Sequence, residues 1–122
     1  MRLFLAIAAV LAWLFGAGLL LAPAQFYAPT GIEMTPMLAT IAQAHGATLV
    51  GLGVVNWLAR NAERQGLGAV LTGNLVVQVL SLGVVIRTMT LGAGMAVAPG
   101  VVIHVLLGAL FAYFLLRLRR PA

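Results

Sequence analysis

Long apolar runs separated by short polar segments dominate the chain. Four runs extend over residues 3–21, 37–58, 67–86 and 98–116, and each is close to the ~20 mostly apolar residues that a membrane-spanning helix needs. Pro23 ends the first run, because proline cannot continue a helix. Thr35 and Pro36 precede the second run as a predicted N-cap and first-turn proline. The runs do not alternate as barrel strands would, so the pattern predicts an all-α fold with four transmembrane helices.

Composition supports the same conclusion. The chain of 122 residues is 63% hydrophobic and only 7% charged, whereas an average soluble domain is about 25% charged. So few charges cannot cover a soluble globule, and four spans with their loops account for the whole length. We therefore predict a single domain, residues 1–122, folded as an integral membrane bundle whose main partner is the lipid bilayer. The absence of cysteine excludes disulfides and thiolate metal sites.

The distribution of arginine predicts an orientation. In a four-span topology, one side of the membrane has a single arginine, Arg87, and its loops also contain Glu33. The other six arginines lie on the opposite side: Arg2, Arg60, Arg64, Arg117, Arg119 and Arg120. By the positive-inside rule this bias places both termini in the cytoplasm. It also disfavours dual topology, and we expect the net charge of +5 to set topology rather than to bind nucleic acid.

The first run has one competing interpretation. Arg2, the apolar run and Ala22-Pro23-Ala24 have features of a cleaved signal peptide. The run of about 19 residues is longer than the apolar core of such a peptide, which is about 7–15 residues. We therefore expect it to be a span.

Polar side chains are rare inside the predicted spans, and each is costly in hydrocarbon. With a rise of ~1.5 Å per helical residue, His45, Gln78 and His104 all lie ~9–12 Å below the outer ends of their spans. Gln43 lies close to His45 in sequence. The spacing predicts a polar layer in the outer half of the bundle.

A second polar group, Asn56 and Asn74, lies nearer the cytoplasm. Asn56 and His45 differ by about 20° around their helix and therefore share a face. Asn74, Gln78 and Ser81 follow an i, i+4, i+7 stripe. We expect these two faces to meet inside the bundle, where Asn56, Asn74 and Ser81 make interhelical polar contacts.

The outer layer has three possible roles. It can consist of interhelical hydrogen bonds, each worth about 0.6 kcal/mol. Alternatively, His45, Gln78, His104 and Gln43 can form a binding site for a quinone, a lipid headgroup or another amphiphile. A third possibility is b-type haem held between His45 and His104, although we expect no cofactor. No carboxylate or thiolate joins the histidines, so we predict no metal site. Glu33 and Arg87 are expected at the outer surface, as an ion pair or to steer a charged ligand.

Other activities have less support. No catalytic constellation is visible, so we expect a protein that is not an enzyme. The spans contain no Asp or Glu of the kind that proton-coupled exporters carry within the membrane. The apolar stretch from Val105 to Phe111 makes a polar path difficult to draw. A small-solute transporter is therefore an alternative, as is a haem-containing redox protein.

Small residues recur four positions apart in three spans. The pairs are Ala12 and Gly16, Ala47 and Gly51, and Gly108 and Ala112. Such spacing lets helix backbones approach closely. We expect these residues to pack within the bundle; the alternative is a face for a homo-oligomer or a larger membrane complex.

Four segments resemble parts of a known group of proteins. They are Gly51–Arg60, Gly73–Val76, Val102–Leu107 and Phe111–Phe114. These segments resemble the last three spans of small four-span bacterial membrane proteins of unknown function. The resemblance implies a four-span bundle in the bacterial inner membrane and singles out Asn56, Asn74 and His104. It implies no particular activity.

Overall fold

The computed structural model describes residues 1–120, and at Ala93 only the backbone. Within these residues there are five α-helices and no strand: α1 Arg2–Leu21, α2 Pro23–Tyr27, α3 Pro36–Ala59, α4 Arg64–Thr88 and α5 Ala98–Arg119. The all-α prediction is therefore confirmed. Four helical segments are long and apolar enough to cross a membrane: Arg2–Leu21, Pro36–Ala59, Arg64–Gly92 and Gly94–Arg119.

The long helices extend past the apolar runs by up to three residues at an end. Arg64 begins α4 and Arg119 ends α5, both beyond the predicted limits. Arginine is a good helix former, and its apolar stem can lie along a helix while the charge reaches water. At the start of α3 the predicted cap is confirmed, because the Thr35 hydroxyl accepts a hydrogen bond from the Leu38 amide at 3.3 Å.

Short elements join the long helices, and the sequence did not predict them. Pro23 ends α1 as expected but also occupies the first turn of α2, where a proline is well tolerated. The ring of Phe26 in α2 packs edge-on against Phe15 of α1, with centroids 5.7 Å apart. Between α4 and α5, Gly92 and Gly94 have φ values of 111° and 54°, a backbone conformation that glycine adopts readily and other residues rarely.

The chain divides into two compact units, Met1–Asn61 and Ala62–Ala122. We call the first, built on α1 and α3, the first hairpin, and the second, built on α4 and α5, the second hairpin. The assembly of all four long helices into a single domain remains a prediction.

In the first hairpin, α1 and α3 run antiparallel and make a very close backbone contact at two glycines. A Cβ placed on Gly16 would lie 2.8 Å from the carbonyl oxygen of Gly46, and one on Gly46 would lie 2.7 Å from that of Gly16. Both glycines are buried. The expected packing role of Gly16 is therefore confirmed, whereas Ala47 and Gly51 are exposed and a Cβ on Gly51 would meet nothing within 4 Å. Ala47 and Gly51 do not pack in this hairpin because Gly46 belongs to the α3 face that contacts α1.

An aromatic cluster lies nearer the other end of the first hairpin. The rings of Trp13 and Trp57 are 5.5 Å apart, and the Trp13 indole lies so close to Gly53 that no side chain fits there. The Arg60 guanidinium carbon lies 3.3 Å from the centroid of the Trp57 ring. Arg60 Nε also donates to the Trp57 carbonyl oxygen at 2.7 Å. These contacts hold a charged side chain against the end of α3.

The second hairpin joins α4 and α5, also antiparallel, through larger side chains. Leu71, Phe111 and Leu115 are buried, and a Cβ on Gly108 would lie 3.5 Å from the Cβ of Gln78. The position of Gly108 between the helices agrees with its predicted packing role. The α5 surface that contacts α4 therefore includes both large residues, Phe111 and Leu115, and the small Gly108, which leaves room for the side chain of Gln78.

Candidate functional site

One polar contact joins the two long helices of the second hairpin. The Nδ1 atom of His104, on α5, lies 2.7 Å from the Oε1 atom of Gln78, on α4. Gln78 is buried, with 6% of its surface exposed, and His104 is half-buried. Two of the residues predicted for the outer polar layer are therefore in direct contact. We call them the Gln78–His104 pair.

The atoms in this contact favour one tautomer of the histidine ring. An amide oxygen can only accept a hydrogen bond, so this contact is a hydrogen bond in the tautomer that carries its proton on Nδ1. In the neutral ring, Nε2 is then the acceptor. The bond also fixes the orientation of the imidazole, because the partner on α4 is itself held in a buried position.

The helix face that presents Gln78 is unusually polar for a buried surface. The buried residues of α4 are Leu71, Asn74 and Gln78, and Ser81 is half-buried. Asn74 also bonds to its own helix, since its Nδ2 donates to the Val70 carbonyl oxygen at 2.9 Å. The stripe predicted from spacing therefore coincides with the buried side of α4. Because the amides of Asn74 and Gln78 make hydrogen bonds, the free-energy cost of burying them is limited.

The pair lies well inside the apolar length of both helices. Gln78 precedes the end of α4 at Thr88 by ten residues, or ~15 Å along the axis, and His104 follows the start of α5 by six, or ~9 Å. Charged or polar groups at such positions are expensive in a bilayer and mark candidate functional sites.

The other two predicted site residues belong to the first hairpin, and their approach to this pair stays a prediction. His45 and Gln43 lie on α3, in the first hairpin, and both are exposed. Gln43 Nε2 donates to the Leu20 carbonyl oxygen at 3.2 Å, which ties α3 to the end of α1. His45 directly precedes Gly46, so it is turned by ~100° from the residue that contacts α1.

The predicted face shared by His45 and Asn56 is divided in the same way. Asn56 is buried, with 1% of its surface exposed, whereas His45 is exposed. Within the first hairpin the two residues therefore differ in burial, and the expectation that both face the bundle interior stays a prediction. Their angular positions are similar, but burial also depends on how closely the neighbouring helix approaches at each level.

The predicted outer-surface residues lie where charges are easily solvated. Glu33 is exposed in the segment before α3, and Arg87 is exposed in the last turn of α4. A cation in a last turn interacts favourably with the helix dipole. The two residues belong to different hairpins, and their pairing remains a prediction.

Two further features of the chain bear on its chemistry. Across the described residues, the structure gathers no group of three histidine, aspartate or glutamate side chains able to hold a metal ion. Arg64, which sequence reasoning used only for topology, makes two hydrogen bonds to the carboxyl end of α5. Nothing in its spacing indicated these bonds, because they depend on how α4 and α5 are aligned.

Compared with protein-family models, curated proteins and solved structures, the chain matches none of them.

Proposed function

We propose that this protein is a multi-span membrane protein that works by binding rather than by catalysis, and that it holds a lipid-like or quinone-like ligand at the Gln78–His104 pair. The observation that carries the proposal is the 2.7 Å hydrogen bond between these side chains inside the apolar length of α4 and α5. It provides an oriented polar group within two long apolar helices.

The partial exposure of His104 supports a ligand. The residue is only half-buried, so a ligand on the outside of α5 can reach it. Polar groups within an apolar helix are unfavourable in hydrocarbon, and a ligand headgroup beside the pair would lower this cost. Gly108 follows one turn later on the same helix and adds no bulk beside Gln78.

The surroundings also define the class of ligand. Val105, Leu106 and Leu110 on α5 are exposed and provide an apolar surface beside the histidine. A suitable ligand therefore combines an apolar tail with a small polar headgroup that carries a hydroxyl or a carbonyl. Quinones, quinols and neutral lipids meet this description.

The proposed setting is the bacterial inner membrane, with both termini in the cytoplasm. Support comes from the six arginines at one side of the four spans. In this orientation the pair lies in the outer half of the membrane. A larger membrane complex or a homo-oligomer is a compatible context.

The test compares the wild-type chain with His104→Ala after purification in mild detergent. Co-purified quinones and neutral lipids are extracted and quantified by mass spectrometry, and a short-chain quinone analogue is then titrated by tryptophan fluorescence and by calorimetry. We expect the wild type to retain a ligand that His104→Ala loses, with analogue affinity reduced about tenfold, which is ~1.4 kcal/mol.

His45→Ala is the matched control, because it removes a histidine that lies on the other hairpin. It is expected to keep wild-type binding. Equal ligand content in all three proteins, or an absence of any ligand from the wild type together with no binding of the analogue, would refute the proposal. Helical circular dichroism of each variant shows that it is folded.

A further inference from the structure

A groove opens on the second hairpin beside the start of α4 and the end of α5. Its volume is about 520 Å³, within the range of ~300–1,000 Å³ typical of small-molecule sites. It lies at the opposite end of α4 from Arg87, and neither residue of the Gln78–His104 pair lines it; on α4 its lining residue Thr72 precedes Gln78 by six residues, or ~9 Å. A ligand in this groove would therefore be independent of the function proposed above.

Arginine side chains form the polar part of the groove. Arg64 and Arg119 both line it, together with the hydroxyl-bearing Thr72. None of the described residues that line the groove is acidic. Glu63, although adjacent to Arg64 in sequence, is not among them. The local charge is therefore positive and suits an anion.

Arg64 is held in place before any ligand arrives. Its Nη2 atom donates to the carbonyl oxygens of Leu118 and Arg120 at 2.5 Å and 3.1 Å. These are last-turn carbonyls of α5 or its cap, which have no partner within the helix. A guanidinium has five N–H donors. Both of these bonds use Nη2, and the guanidinium carries its other donors on Nε and Nη1.

Apart from Gln65, the remaining lining residues of the groove are apolar, and two of them are small. Gly68 and Ala69 on α4 face Leu115 and Leu118 on α5. A Cβ on Gly68 would meet the side chain of Leu118 only at 3.8 Å. A free inorganic anion would gain nothing from this surface, whereas an acyl chain would bury apolar area on it.

We propose that this groove binds an anionic phospholipid, with its phosphate on Arg64 and Arg119 and the upper part of an acyl chain along Gly68 and Ala69. Basic pockets between transmembrane helices are a known way to recognise anionic headgroups. A zwitterionic lipid fits less well, because its cationic group would face two arginines without an acidic partner.

The experiment uses the full chain in detergent with defined lipids. Native mass spectrometry measures binding of phosphatidylglycerol and phosphatidylcholine to the wild type and to a double variant, Arg64→Gln with Arg119→Gln. We expect the wild type to prefer phosphatidylglycerol by about tenfold or more, and the double variant to bind it about 30-fold more weakly.

A matched double variant, Arg117→Gln with Arg120→Gln, removes the same charge from the same end of α5. Neither side chain lines the groove, so we expect less than about a threefold loss. Equal losses in the two double variants would overturn the proposal, because they would show that any arginine at this end attracts the anionic lipid equally. Complete competition by millimolar inorganic phosphate would also overturn it, because it would show a site for a free anion.

Ala69→Leu gives a second route that preserves every charge. The larger side chain fills the apolar part of the groove, and we expect it to reduce binding of phosphatidylglycerol. Unchanged binding in this variant, with helical content and monodispersity as in the wild type, would contradict the placement of the acyl chain.

Discussion

The contact between Gly16 and Gly46 makes a quantitative prediction for the first hairpin. In Gly46→Ala the new Cβ would lie 2.7 Å from the Gly16 carbonyl oxygen and 2.8 Å from the Leu20 amide nitrogen. Ordinary van der Waals contact begins near 3.4 Å, so α1 and α3 must separate by ~0.7 Å. Both nearest atoms belong to the backbone and cannot rotate away. We expect a loss of ~1–3 kcal/mol in the free energy of unfolding, as for other overpacked cores.

Gly51→Ala is the matched control on the same helix. A Cβ there meets nothing within 4 Å, and alanine has a higher helix propensity than glycine by up to ~1 kcal/mol in water. This variant should be as stable as the wild type or slightly more stable. The comparison separates loss of the close contact from any general effect of replacing glycine in α3.

Tryptophan fluorescence during titration with sodium dodecyl sulfate from mild detergent measures both variants. The chain contains two tryptophans, Trp13 and Trp57, which are in contact within this hairpin, so the signal reports on the association of α1 and α3. The expected loss corresponds to a shift of about 5- to 150-fold in the unfolding equilibrium. Equal stability of Gly46→Ala and Gly51→Ala would refute the close approach of the backbones.

The reciprocal variant provides an internal check. Gly16→Ala places a Cβ 2.8 Å from the Gly46 carbonyl oxygen and should cost a similar amount. Since one separation of the helices relieves both contacts, the double variant should lose less than the sum of the two single losses. Additive losses would show that the two glycines do not share a contact.

Three further predictions concern the pair and the topology. A double-mutant cycle with Gln78→Ala and His104→Ala should give a coupling of ~0.6–2 kcal/mol in unfolding free energy; zero coupling would argue against their hydrogen bond. In this cysteine-free chain, an impermeant thiol reagent should label Thr90→Cys in intact cells, and Gln65→Cys only after permeabilisation; the reverse pattern would contradict the proposed orientation. The purified protein should show no Soret absorption band; a band abolished by His104→Ala would favour haem.

The fold could largely be predicted because the signal for a membrane-spanning helix is long and redundant. Each apolar run contains about as many residues as a bilayer crossing requires, so a few ambiguous positions do not matter. The helix α2 was missed for the opposite reason. It has five residues, too few for a periodic pattern, and Pro23 both ends one helix and begins the next.

For the site, the sequence predicted how far along each helix a polar residue lies better than which side of the helix it faces. Counting residues along each helix placed Gln78 and His104 at similar levels, and they are in contact. The same counting placed His45 in this layer; it is exposed within the first hairpin, and its approach to the pair stays a prediction. The side of α3 that faces α1 depends on Gly46, and small-residue spacing did not distinguish Gly46 from its neighbour Ala47. The contact between α3 and α1 therefore determines which of the two neighbouring residues packs, and the spacing of small residues does not.

The folded-back position of Arg60 has a consequence for the depth at which the first hairpin sits. An arginine near a helix end usually extends towards water, but here the guanidinium lies over the Trp57 ring. The charge therefore stays within about one helical turn of that ring, and in the proposed membrane the boundary with water would pass near the same level. Helix α3 has 24 residues, a length of ~36 Å against ~30 Å of hydrocarbon. If the Trp57 end of α3 stays at the boundary with water, then in a thinner bilayer α3 must tilt or expose apolar residues near Pro36.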